Sequence, residues 1–114
     1  MKLAINTRES QGVTVLDLSG RVVLGEECNS LRKLVAELLA AAKTKILINL
    51  GDVAYVDSSG IGILVESVLL TAKQNGALKL VNMPRVLRNT LLIHRLLPVF
   101  EVYDNEAEAL ASFK

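Results

Sequence analysis

Aromatic side chains are scarce in this chain of 114 residues: they make up 4%, and tryptophan is missing. Any core must therefore be aliphatic, and a hydrophobic share of 51% is enough to build one. Cysteine occurs once, at Cys28, and histidine once, at His94. A lone cysteine excludes an internal disulfide and a thiolate metal cage, and one histidine adds too little for a structural zinc site. No metal and no cofactor is expected. An excess of charge is lacking too, since 13 basic and 12 acidic residues leave a formal net charge of +1. Nucleic acid is held by clustered Lys and Arg, so this balance argues against such a partner. No uncharged apolar run reaches the roughly 18 residues of a membrane span. The longest stretch, Ile61 to Leu70, is broken by Gly62, Glu66 and Ser67. The opening residues Met1 to Asn6 lack the apolar core of a signal peptide. The expectation is a cytoplasmic protein without direct membrane insertion, forming one domain over residues 1–114.

Hydrophobic periodicity outlines the elements. Alternation from Val13 to Leu18 predicts a strand with Val13, Val15 and Leu18 inward, paired with Leu3 to Thr7 through a turn at Glu9 to Gly12. Ser19 and Gly20 end that hairpin. Leu31, Leu34, Val35, Leu38, Leu39 and Ala42 recur at helical spacing, predicting a helix that begins at Glu26 or Asn29 and runs to Ala42. Lys45 to Leu50 is a short, nearly continuous apolar run, as in a central strand covered on both faces. A loop is expected from Gly51 to Val56, then a helix from Ser58 to Gln74 stopped by Asn75 and Gly76. Ala77 to Val81 reads as another buried strand, and Pro84 opens a short helix carrying Val86, Leu87, Leu91 and Leu92. An edge strand from Phe100 to Tyr103 and a helix capped by Asp104 or Asn105, holding Ala107, Leu110 and Phe113, complete the chain. The order β-β-α-β-α-β-α-β-α predicts an α/β fold, with a mixed sheet that opens on an antiparallel hairpin and continues by parallel crossovers.

One segment carries chemistry: Asp57-Ser58-Ser59-Gly60-Ile61-Gly62, between a buried strand and a very apolar helix. The N-terminus of a helix offers unpaired N–H groups and the positive end of the macrodipole, where a phosphate is stabilised. Serine hydroxyls in such a turn face solvent, and Gly60 and Gly62 remove side chains that would block a partner. The simpler reading is that Ser58 or Ser59 only caps the helix, with Asp57 adding favourable charge.

The run Val53 to Leu64 resembles the signature of bacterial STAS-domain anti-sigma factor antagonists. The likeness extends over the opening hairpin, the Leu31 helix, the Ile46–Leu50 strand and the Asn75-Gly76 turn. In that family the first serine after the aspartate is phosphorylated, so the resemblance implies Ser58 as phosphoacceptor. It implies a partner surface of Asp57, Ser58, Ser59, Gly60, Ile61 and Gly62, joined by Val23 and Leu24 of the loop that commonly lies beside this turn. The implied kinase is an ATP-binding anti-sigma factor of the histidine-kinase-like ATPase type, which the unphosphorylated antagonist sequesters to free a sigma factor. A metal-dependent serine phosphatase resets the switch. The chain would be a substrate and binding module in transcription regulation, with no catalysis of its own. Arg21 to Glu27 departs from the family pattern by being more apolar. Related STAS modules serve instead as non-switching subunits of lipid-transport ATPase complexes or stress-sensing assemblies.

Other chemistry finds less support in the residues. Asp57 could be the phosphoacceptor of a receiver domain, but Asp17 lies within a strand and lacks the adjacent acid that magnesium requires. Ser58 as a hydrolytic nucleophile needs a base, and His94 sits in an apolar run as a partly buried residue or a helix-end cation. The lysine of a phosphate-binding loop is missing after Gly60-Ile61-Gly62. Cys28 reads as a semi-buried filler whose thiolate Glu26 and Glu27 oppose. Arg85, Arg88 and Arg95 read as a solvated helix surface, the other reading being a basic face near Lys79. Val65, Val68, Leu69 and Leu70 exceed what one buried helix face needs; core packing accounts for most of them, and the remaining apolar surface suits protein docking or self-association.

Overall fold

Gln11 and Gly12 both adopt positive φ (52° and 79°), the backbone that a two-residue hairpin loop needs to match strand twist. They join β1 (Ala4–Ser10) to β2 (Val13–Val22), paired antiparallel from Ser10↔Val13 to Ala4↔Ser19. The computed structural model describes residues 2–114. After β2 come α1 (Glu26–Ala40), β3 (Lys45–Val56), α2 (Ser58–Lys73), β4 (Ala77–Val81), α3 (Arg85–Ile93), a 3-10 turn (Leu97–Val99), β5 (Val102–Tyr103) and α4 (Glu106–Ala111). The sheet order is β1-β2-β3-β4-β5, antiparallel only at its first pair. The predicted α/β architecture with an antiparallel opening is the one observed.

β2 is buried on both faces. Leu16, Leu18 and Val22 enter the main core with Leu31 and Val35 of α1, Ile63 and Leu64 of α2, and Leu87 and Leu91 of α3. Val13 and Val15 project to the other side, against Leu47, Val81, Ala109 and Leu110. The expectation that Val13, Val15 and Leu18 share one inward face is therefore corrected: a strand between two neighbours and under two layers of helix has no solvated side. A second correction concerns Gly51 to Val56, which continues β3 instead of forming a loop. β4 leaves β3 at Asn49↔Val81, and from Asp52 to Val56 β3 pairs with β2 alone. Half-exposed pairing explains the polar, glycine-bearing composition that reads as a loop.

Smaller differences lie at element ends. α1 stops at Ala40, with Ala42 at φ 62°, and α2 stops at Lys73, with Asn75 at φ 61°. The last strand shrinks to Val102–Tyr103 because Phe100 turns into the core. Asn105 caps α4 by accepting from Glu108 N–H at 2.9 Å. Ala107 is exposed, Leu110 is buried, and Phe113 packs half-buried just past the helix end.

Short α4 is held at both ends. Arg8 Nη1 donates to Glu106 Oε2 at 3.0 Å, while its Nε reaches Asp17 Oδ2 at 2.7 Å. Lys79, only 8% exposed, donates from Nζ to Ser112 O and Oγ at 3.0 Å, pairs with Glu101 and lies 4.6 Å from the Phe113 ring centroid. The proposed neighbourhood of Lys79 with Arg85, Arg88 and Arg95 is thus overturned: Lys79 points to the α4 side of the sheet, whereas α3 packs its Leu87 and Leu91 into the main core.

Candidate functional site

The carboxyl ends of β2 and β3 meet at the Asp57 turn. Val22 pairs with Val56, and Asp57 N–H donates to Val22 O at 3.2 Å. Asp57 has extended backbone (φ −87°, ψ −177°) and is the N-cap of α2. Its Oδ1 accepts from Gly60 N–H at 2.8 Å, and its Oδ2 accepts from Leu24 N–H at 3.0 Å. Donors at Gly60 and Leu24 hold the Asp57 carboxyl below the usual carboxylate range. The cap is therefore the aspartate and neither serine. Ser58 is exposed as the first residue of α2, with its hydroxyl in no hydrogen bond among the described residues, and Ser59 is half-buried.

The two glycines differ in role. A Cβ on Gly60 would run into the Val22 carbonyl oxygen and stand 2.7 Å from Val56 Cγ1, so glycine is required here for internal packing. The expected opening for a partner at Gly60 is corrected accordingly. A Cβ on Gly62 would meet nothing within 4 Å, and this residue lies on the open side of α2. Ile61 is buried in the core and reaches the surface only as part of a groove wall.

Val23 is half-buried, and Leu24 stands 76% exposed beside Asp57. Tyr55, 52% exposed, lies under the Arg21 guanidinium at 5.7 Å from its ring centroid. Next to Ser58 a largely apolar groove of about 440 Å³ runs between the end of β3 and α3, with Tyr55, Ile61, Val86, Thr90 and His94 among its walls. β4 ends before β3 does, which leaves this space open. His94 is exposed at the C-cap of α3, so it is a helix-end residue and not a partly buried one. Tyr55, Val86 and the groove escape a reading of the motif alone. Their sequence signal is apolar character alone, Tyr55 within the expected loop and Val86 among the apolar residues of the expected short helix, and nothing local places the two on one groove.

Elsewhere, Cys28 is buried at the start of α1, and burial first, then the Asp57 charge, pushes its thiol up. Leu69 and Leu70 of α2 are exposed, with Val65 and Val68 half-buried. Among the described residues no group of acidic, His or Cys side chains could hold a metal ion, and no helix is long and apolar enough to cross a membrane.

The STAS domain family matches residues 4–109, and the chain belongs to that family. Solved structures share its fold. A candidate anti-sigma factor antagonist of Thermotoga maritima superposes with a TM-score of 0.88 at 23% identity, over 96% of this chain and 93% of that one. The Bacillus cell fate determinant SpoIIAA, in its phosphorylated form, gives 0.75 at 19% identity, over 97% of this chain and 100% of its own. The murine anion transporter Slc26a9 gives 0.74 at 17% identity, over 92% of this chain but 18% of its own length. No curated protein matches the sequence.

Proposed function

We propose that this chain is an anti-sigma factor antagonist switched by phosphorylation of Ser58. One observation carries the reading: Asp57 takes over the capping of α2, which leaves the Ser58 hydroxyl exposed and uncommitted at a helix N-terminus. SpoIIAA, which shares the fold, has been solved unphosphorylated and phosphorylated. The unphosphorylated chain binds an ATP-binding anti-sigma factor kinase of the histidine-kinase-like ATPase fold and frees a sigma factor in the cytoplasm. A metal-dependent serine phosphatase restores it, and the chain itself catalyses nothing.

The physics of the switch is local. A phosphoryl group adds about −1.5 to −2 charge at pH 7. On Ser58 it stands beside the Asp57 carboxylate and at the edge of apolar surface formed by Leu24, Tyr55 and the groove. Repulsion and desolvation oppose docking there, while the helix N-terminus stabilises the anion without unfolding. Incubation with the anti-sigma factor and ATP should add about 80 Da, the mass of one phosphoryl group, to the peptide containing Ser58. Ser58→Ala should bind the kinase and stay unlabelled. Label retained in that variant would move the site, with Ser59 first in line.

A second reading is a non-switching subunit of a lipid-transport ATPase complex or a stress-sensing assembly; the anion transporter Slc26a9 shows only that this fold also occurs as a small part of a longer chain. Constitutive co-purification with a transporter ATPase, in the absence of an anti-sigma factor, would favour it.

A further inference from the structure

The two oxygens of Asp57 serve different elements. Oδ1 closes the N-terminus of α2 through Gly60, and Oδ2 reaches Leu24, 33 residues earlier in the chain, in the connection between β2 and α1. That connection is pinned residue by residue. Val22 O accepts from Asp57 N–H at 3.2 Å, Val23 O accepts from Cys28 N–H at 3.2 Å, and Gly25 O accepts from Asn29 N–H at 3.0 Å. Gly25, at φ 114°, then turns the chain into α1. Leu24 N–H has Asp57 Oδ2 as its partner. The result is a large aliphatic side chain with hardly any protein contact, on a backbone held in place. With the backbone already ordered, burial by a partner costs only the rotamer freedom of the side chain itself.

We infer that Asp57 is a positioning residue with two separable duties, capping α2 and holding Leu24 in the conformation that enters an apolar pocket of the partner. Performing both duties at once needs both carboxylate oxygens. Asparagine caps a helix about as well as aspartate, but it has one acceptor oxygen, and its amide group would set a donor against Leu24 N–H. An Asp→Asn exchange therefore separates the tether from the cap. The same geometry accounts for how a charge on Ser58 reaches Leu24. A phosphoryl group competes with Asp57 for the helix N–H groups and repels its carboxylate, which loosens the tether. This part of the inference rests on the reading of Ser58 as the switch and Leu24 as partner surface.

The test has two arms. In the chain alone, amide exchange followed by NMR should show Leu24 N–H exchanging at least about tenfold faster in Asp57→Asn, with Gly60 N–H still protected. Asp57→Ala should release both amides. Unchanged Leu24 exchange in Asp57→Asn, or joint loss of Leu24 and Gly60 protection, would overturn the separation of duties. In the second arm, calorimetry with the ATP-binding anti-sigma factor should find Asp57→Asn and Leu24→Ala each weakened about tenfold or more, and the double variant no weaker than either single one. Wild-type affinity in Asp57→Asn, with Leu24 released, would sink the tether as a determinant of binding while leaving Ser58 phosphorylation intact. A wild-type chain that binds no anti-sigma factor would instead defeat the functional reading, and the exchange data would still decide the tether.

Discussion

Gly60 and Gly62 stand two positions apart on one helix and face opposite constraints. Alanine at an exposed helical position gains up to about 1 kcal/mol over glycine. At Gly62 nothing opposes that gain, because the new Cβ meets no atom within 4 Å. At Gly60 the new Cβ strikes the Val22 carbonyl oxygen and Val56 Cγ1, both parts of paired strands. Forcing atoms into packed structure costs about 1–3 kcal/mol, so the clash wins over the helix gain. Denaturant unfolding should show Gly62→Ala as stable as the wild type or more so, and Gly60→Ala less stable. The reverse order would contradict the packing of α2 against the end of β2.

α4 shows how a six-residue helix is retained by charge at one end and by a buried lysine at the other. Arg8 holds the carboxyls of Asp17 and Glu106 below their ordinary values of 3.8 and 4.5. A carboxyl lowered by folding adds stability that is complete above its ordinary value and disappears as pH falls through the lowered one. Below about pH 4.5 the cluster should therefore lose its contribution progressively, since the ordinary values of its acids are 4.5 and 3.8. Arg8 and Glu106 are about a third exposed and Asp17 is 27% exposed, so solvent screening keeps the effect modest. Stability measured from pH 7 down to pH 3 should fall less steeply in Glu106→Gln than in the wild type. An identical slope would mean that Arg8 and Glu106 contribute nothing measurable. The nearby Val13, Val15, Leu47 and Val81 depend on α4 for cover, so its release would uncover an apolar strip of sheet.

For the whole molecule, Ser58 stands exposed where β2 and β3 end and takes no part in the aliphatic core, so its charge state and the fold are nearly independent. Acid in the first turn of a helix is favourable by about 0.3–1 kcal/mol. Ser58→Asp should keep the melting temperature or raise it slightly in scanning calorimetry, while affinity for the proposed anti-sigma factor partner should fall. Asp supplies less charge than phosphate, so the loss should be smaller than that caused by the modification itself. A large drop in melting temperature would mean that Ser58 belongs to the packing of the turn.

Much of this architecture is legible locally. The Leu31, Val35, Leu38 stripe of α1, the apolar run of β4 and the Asp57-Ser58-Ser59-Gly60 turn each announce themselves through spacing between near neighbours, which is what periodicity and capping rules measure. The sequence alone determined the order of elements, the aliphatic character of the core and the position of the candidate switch. Tertiary structure decided the rest. It extended β3 to Val56 along β2, covered both faces of β2, and moved Lys79 away from the arginines of α3. Each of these depends on partners distant in the chain, as with Leu24 and Asp57, and such contacts leave no local pattern because the backbone must be folded before the two residues meet.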